Sequence, residues 1–194
     1  MMQEQVAELL PKREGHFVFE SGHHGEVWLD LERLLLHPER VQPLAEVLAE
    51  RLRGHRAEAV CGPLVEGAFV ALMVASSLGL PFSYSTPVRN QGAAGLFPVS
   101  YPIPEPLAPE LRSKRVVIVN DVVNAGSAVR GTLAALEQCG ARPVAIGTLA
   151  AYGDAASDLA AAHGLALETL ASFPSRIWEP NACPLCAKGV PLKT

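Results

Sequence analysis

The sequence predicts an α/β fold around a parallel sheet, and three observations carry that expectation. Arg115 to Leu133 reads RVVIVNDVVNAGSAVRGTL, where four unbroken aliphatics, Val116 to Val119, mark a strand buried on both faces. A turn of small residues, Asn124-Ala125-Gly126-Ser127-Ala128, comes next, and Val129, Leu133 and Leu136 then share one helical face. A second strand–turn–helix unit runs from Ala57 through Gly62 to Ala68 and on to Leu78. Repetition of that unit puts ligands at the carboxyl ends of parallel strands.

The remaining elements follow in order. Val6, Leu9 and Leu10 suggest a short helix stopped by Pro11. Gly15 to Gly22 reads as a strand with a turn at Ser21-Gly22, and Glu26 to Leu31 alternates again, so the two form a small hairpin outside the core. A helix from His37-Pro38-Glu39 through Arg53 carries Val41, Leu44, Val47, Leu48 and Leu52 on one face, and Gly54 ends it. Ala57 to Cys61 is a strand, and Gly79 stops the helix after it. Pro81 to Ser85 is the next strand. Residues 86–109 form an irregular arm rich in Pro and Gly, with Gly92, Gly95, Pro98, Pro102, Pro104, Pro106 and Pro109, either mobile or fixed as a hairpin through Leu96 to Ile103. Pro143 to Ala151 and Leu165 to Phe173 are the last strands, with Ala155 to His163 a helix between them. The expected organisation is one domain: a hood over 1–35, an α/β core over 36–175 and a tail over 176–194.

Composition narrows the function. Hydrophobic residues at 49% and charged residues at 19% of 194 give a globular core, and a net charge of −4 argues against a nucleic-acid partner. Met1 to Leu10 carries Glu4 and Glu8, unlike a signal peptide, and no apolar run reaches membrane-spanning length. With four cysteines and no disulfide framework, the expected location is the cytoplasm.

The chemistry is expected at the central turn. Backbone N–H groups and the positive end of a helix dipole converge there, which suits a phosphate. Gly126 lets the backbone approach closely, Ser127 adds a hydroxyl, and Asp121 at the strand tip can accept from sugar hydroxyls.

VVIVNDVVNAGSA resembles the phosphoribosyl-diphosphate (PRPP) motif of type I phosphoribosyltransferases. That resemblance implies a Rossmann-like core in which Asn120 and Asp121 hold ribose and Asn124, Ala125, Gly126, Ser127 and Ala128 cradle the 5′-phosphate. Asn120 stands where an acid is usual, and Asn124 where Thr is usual. HFVFESGHHGEVWLD resembles the N-terminal segment of the orotate branch, which implies a base pocket at Ser21, Gly22 and Trp28. Glu20 there replaces a usual Lys or Arg. The turn at Leu64, Val65, Glu66 and Gly67 resembles the pyrophosphate loop, with Glu66 where Lys or Gly is common. In the family the arm carries a basic catalytic loop; here it offers Arg89 and neither Lys nor His. An Arg that the orotate enzymes carry after Ala151 is replaced by Tyr152, Gly153 and Asp154.

The resemblance implies transfer of ribose 5-phosphate from PRPP to orotate, with Mg²⁺ entering on PRPP, Asp121 and Arg89 as catalytic candidates, and a homodimer. Two alternatives stay open: a relative that binds a phosphorylated ribose without turnover, and a transferase for another base. The charge reversals at Glu20 and Glu66 lead to the expectation that ribose 5-phosphate binds better than PRPP. The tail, WEPNACPLCAKGVPL, resembles that of one bacterial orotate branch. Its Cys183 and Cys186 are half a zinc site, to be completed by Cys61 and Cys139 or by a second subunit. His23 and His24, neighbours on a strand, are expected at the surface.

Overall fold

The computed structural model describes residues 2–89, 96 and 98–193. Helix α1 (Met2–Leu9) leads into a hairpin of β1 (Lys12–Val18) and β2 (His24–Leu29). The core then runs α2 (Pro38–Leu52), β3 (Ala59–Pro63), α3 (Glu66–Leu78) and β4 (Phe82–Ser85). Two short strands, β5 (Val88–Arg89) and β6 (Val99–Ser100), precede α4 (Ala108–Leu111) and β7 (Arg115–Val123). After these come α5 (Ser127–Gln138), β8 (Arg142–Tyr152), α6 (Ala155–Ala162), β9 (Ala166–Phe173), β10 (Ile177–Trp178) and α7 (Pro184–Ala187).

Five strands form the expected parallel sheet in the order β4-β3-β7-β8-β9. The aliphatic run of β7 divides between its two faces. Val117 and Val119 pack with α2 and α3 through Val41, Leu48, Val70 and Val74. Val116 and Ile118 pack with α5 and α6 through Val129, Leu133, Leu136 and Leu159. Burial on both faces explains why β7 reads as an unbroken apolar run rather than an alternating one.

Several boundaries move. The second hairpin strand ends at Leu29, because Leu31–Leu36 winds into a 3-10 helix whose Leu34 enters the core. Gly54 sits inside a 3-10 turn, and the chain reverses at Arg56, which takes a left-handed conformation (φ 52°). The strand expected from Ala57 starts two residues later and reaches Pro63.

The tail returns to the hairpin. β10 pairs antiparallel with β2, making a three-stranded sheet β1-β2-β10, and Lys193 bridges to Phe17. The two ends of the chain therefore build the hood together. In the arm, β5 and β6 pair as an antiparallel ladder, Val88 with Ser100 and Arg89 with Val99. Its base is held where Tyr101 packs on Gly131, at which a Cβ would come within 2.6 Å of the ring. Gly92 and Gly95 lie outside the described residues. Among those that are described, no helix is long and apolar enough to cross a membrane.

Candidate active site

A cleft of about 230 Å³ opens between the hood and the carboxyl end of β7. One wall comes from Phe19, Glu20, Ser21, Val27 and Trp28, with Trp28 stacked on Phe19 at a centroid distance of 6.0 Å. The other wall is Asn120, Val122, Val123 and the whole turn Asn124–Ala128. The hood hairpin can form this wall because Gly22, at φ 85°, closes it tightly; its N–H donates to the Phe19 carbonyl at 2.9 Å.

The turn has the form the sequence suggests. Gly126 lies at φ 78° and begins α5, and an added Cβ would meet nothing closer than 3.9 Å. That leaves open space in front of the first N–H groups of the helix, where a phosphate can approach. Asn124 Oδ1 is buried with no hydrogen-bond partner, so an acceptor is held ready in the same turn.

Behind this surface, Asn120 and Asp121 separate. Asn120 lines the cleft and donates from Nδ2 to the Val122 carbonyl at 2.8 Å. Asp121 is only 4% exposed and does not line the cleft, and its Oδ2 has no partner. Burial, together with the charge of Glu66, pushes its carboxyl up to about 7. The two residues expected to share one role thus occupy different environments.

The turn Leu64–Gly67 lies beside them. Glu66 is half-buried at the start of α3, and the Leu64–Val65 peptide is cis. Gly67 is required here for space: a Cβ would fall 2.0 Å from Asn120 Oδ1. The two strand-to-helix turns therefore touch at a point that tolerates no side chain. Arg89 lies exposed on β5 and does not line the cleft.

Glu20 behaves in a way its sequence position did not reveal. Its carboxylate accepts from the Tyr101 hydroxyl and from Ser127 Oγ, the latter at 3.3 Å. A side chain of the hood, one from the arm and one from the Asn124–Ala128 turn meet there. Burial, and then Glu20 beside it, raises the Tyr101 phenol above its ordinary value, so it stays a hydrogen-bond donor. Sequence reading missed Tyr101, whose only local signal is one aromatic within a proline-rich segment. It also missed the cations of a second cavity, which shares Val27, Leu29 and Asn124 with the cleft and is lined by Lys12 and Arg176.

The tail corrects two expectations. His24 is 8% exposed rather than at the surface, because β2 is covered by the returning tail. Cys61 is buried in the core with Cys139 packed against the same cluster, so neither completes a site with the tail. The side chains that approach Cys183 and Cys186 are His16 and His24.

Fold and cleft together define a class: a parallel α/β protein with an open glycine turn at the carboxyl end of its central strand, roofed by a small hood. Residues 30–171 match the phosphoribosyl transferase domain, and the chain belongs to that family. An orotate phosphoribosyltransferase of Caldanaerobacter subterraneus subsp. tengcongensis is 27% identical over 99% of this chain and 96% of its own length. One from Helicobacter pylori strain P12 is 30% identical, covering 93% and 90%. Among solved structures, the orotate phosphoribosyltransferase from Aeropyrum pernix superposes with a TM-score of 0.64 at 26% identity, over 89% of this chain and 94% of that one. An adenine phosphoribosyltransferase from Rhodothermus marinus has the same fold, with a TM-score of 0.68 at 18% identity over 89% and 98%.

Proposed function

We propose that this chain transfers ribose 5-phosphate from PRPP to orotate, forming orotidine 5′-monophosphate and pyrophosphate for pyrimidine nucleotide synthesis in the cytoplasm. The observation that carries this reading is the cleft itself, with a hood wall of Phe19, Ser21 and Trp28 facing the turn Asn124–Ala128. The base nitrogen attacks ribose C1, the C1–oxygen bond breaks, and the electron pair leaves on the diphosphate. Such chemistry asks the protein to hold both substrates, shield the cationic ribose from water and stabilise the leaving charge.

In this reading the N–H groups of the 124–128 turn and Ser127 hold the 5′-phosphate, and Asn120 meets the ribose hydroxyls. Asp121 backs Asn120 from the interior, where burial raises its carboxyl toward neutral pH. The base stacks in the hood beside Trp28, and the Leu64–Gly67 turn faces the diphosphate. Mg²⁺ would enter on PRPP: Asp121, buried behind the cleft wall, and half-buried Glu66 place negative charge behind this end of the cleft, which favours a cation there without either residue having to ligate it. Bound with PRPP, the ion would supply countercharge to a diphosphate that Glu66 and Asp121 alone would repel. Arg89, on the arm, is the cation in residues 86–109 that can close toward it.

A homodimer belongs to the same reading. Val65, Phe69 and Leu72 are 52%, 46% and 48% exposed at a spacing that places them on one side of α3, beside the Leu64–Gly67 turn.

A second reading, binding without turnover, is favoured by one observation: the Glu20 carboxylate already accepts from Ser127 in the turn meant for phosphate. Incubation with PRPP, Mg²⁺ and one base at a time, with nucleotide products read by mass spectrometry, separates the possibilities. Product with orotate supports the proposal. Product with adenine alone assigns another base, and no product with any base leaves the binding reading.

A further inference from the structure

Outside the cleft, four side chains from the two ends of the chain converge under the hood. His16 Nε2 lies 3.2 Å from His24 Nδ1, 3.5 Å from Cys183 Sγ and 3.7 Å from Cys186 Sγ. His24 Nδ1 lies 3.2 Å from Cys186 Sγ, and all four atoms fall within 4.8 Å of one another. His16, His24 and Cys183 are buried.

We propose that His16, His24, Cys183 and Cys186 form a structural zinc site that clasps the C-terminal tail to the hood. Four of the six separations lie near the edges of a coordination tetrahedron, and all lie within 4.8 Å. Zinc bond lengths of about 2.0–2.1 Å to nitrogen and about 2.3 Å to sulfur require edges of about 3.3 Å for N···N and about 3.5 Å for N···S. The N···N separation here is 3.2 Å, and three N···S separations are 3.2, 3.5 and 3.7 Å.

Hydrogen bonding alone accounts poorly for this cluster. His16 Nδ1 lies 2.7 Å from the Val190 carbonyl, which accepts only, so Nδ1 carries the proton and Nε2 offers a single lone pair. Three groups crowd that one lone pair. A cation at their centre serves all four atoms at once, and the Val190 contact becomes the outer support that fixes the ring of a ligating histidine. Two imidazoles and two thiolates in a closed, four-coordinate set suit zinc rather than magnesium or calcium, which take oxygen.

The ligands also say what the site does. Two lie on the hairpin whose turn forms the cleft wall, and two lie on the tail that reaches the same sheet through β10. Zinc binding would lock residues 180–193 against β1 and β2 and so steady Glu20, Ser21 and Trp28 over the phosphate turn.

The test is metal analysis of the full chain, loaded with excess zinc sulfate and desalted. About one zinc per chain is expected, and cobalt in its place should give thiolate-to-cobalt charge-transfer bands with the strong visible absorption of a tetrahedral site. Cys183→Ser with Cys186→Ser, and His16→Ala, should lose the metal, whereas Cys139→Ser should keep it. As those variants could fold poorly, the parent is also treated with chelator. Trypsin should then cut at Lys188 about tenfold or more faster, and added zinc should reverse this. Zinc below about 0.1 per chain after loading, an unchanged cobalt spectrum in the double cysteine variant, or a Cys183–Cys186 disulfide in freshly purified protein would each overturn the proposal.

Discussion

Ser127 donates its hydroxyl to the carboxylate of Glu20 at 3.3 Å, so an acidic side chain from the hood stands at the N-terminus of the helix proposed to receive phosphate. Both anions seek the same donors. Glu20→Gln keeps the shape and the contact with Tyr101 while removing the charge. Affinity for ribose 5-phosphate should rise by about threefold to tenfold, more at low salt than at high. Calorimetry at two ionic strengths checks it. An unchanged or weaker affinity would mean that Glu20 orders the turn rather than competing for it.

Gly126→Val addresses the cradle directly. At φ 78° a β-branched residue is strained by about 1 kcal/mol or more, and its side chain enters the open space before the α5 amides. Binding of ribose 5-phosphate should fall by more than about tenfold. The circular dichroism spectrum should remain that of the parent, since the turn lies outside both core clusters. Parent-like affinity would remove the phosphate from this turn.

Asp121 gives a pH dependence whose sign follows from its burial. Its carboxyl titrates near 7 in the folded chain against 3.8 as an unperturbed group. Between those values the folded state holds the proton that the unfolded state has released. Its contribution to stability is therefore greatest below about pH 4 and is lost as pH rises toward 7, by at most roughly 1.4 kcal/mol per unit. Asp121→Asn should become more stable relative to the parent across that range in denaturant titrations. A constant difference from pH 4 to 7 would contradict the raised titration of this buried carboxyl.

Glu66 tests the diphosphate end. Glu66→Lys should raise PRPP affinity about tenfold or more while changing monophosphate affinity by less than about threefold. Equal gains for the two ligands would indicate a general charge effect and not a diphosphate subsite.

Much of this was legible locally. The Val116–Val119 run, the Asn124–Ala128 turn and the Gly62–Gly67 turn declare themselves through patterns confined to a dozen residues, and the parallel sheet follows from repeating them. What was illegible depends on contacts between distant segments. Tyr101 meets Glu20 across 81 positions, and His16 meets Cys186 across 170. No periodicity records either pairing. His23 lies before β2 and only His24 belongs to the strand, where it is covered by β10 from the far end of the chain. Asp121 shows the same limit from the other side: the motif places it beside Asn120, while the strand's alternation turns one into the cleft and the other into the interior.

The exposed stripe on α3 bears on assembly. Phe69→Glu should shift the protein from dimer to monomer in light scattering at micromolar concentration without unfolding it, because Phe69 is 46% exposed. A parent that is already monomeric would remove the stripe from consideration as a self-association surface.

The central claim is phosphoribosyl transfer to orotate in the cleft between hood and turn, and steady-state conversion of orotate tests it most directly. With PRPP and Mg²⁺ saturating, the parent should form orotidine 5′-monophosphate and pyrophosphate in equal amounts. The rate should lie below the usual enzymatic range of about 1–10³ per second, because the arm sequence supplies Arg89 but no lysine. Gly126→Val should form neither product. Absence of product from the parent, under conditions where it binds ribose 5-phosphate, would contradict the claim.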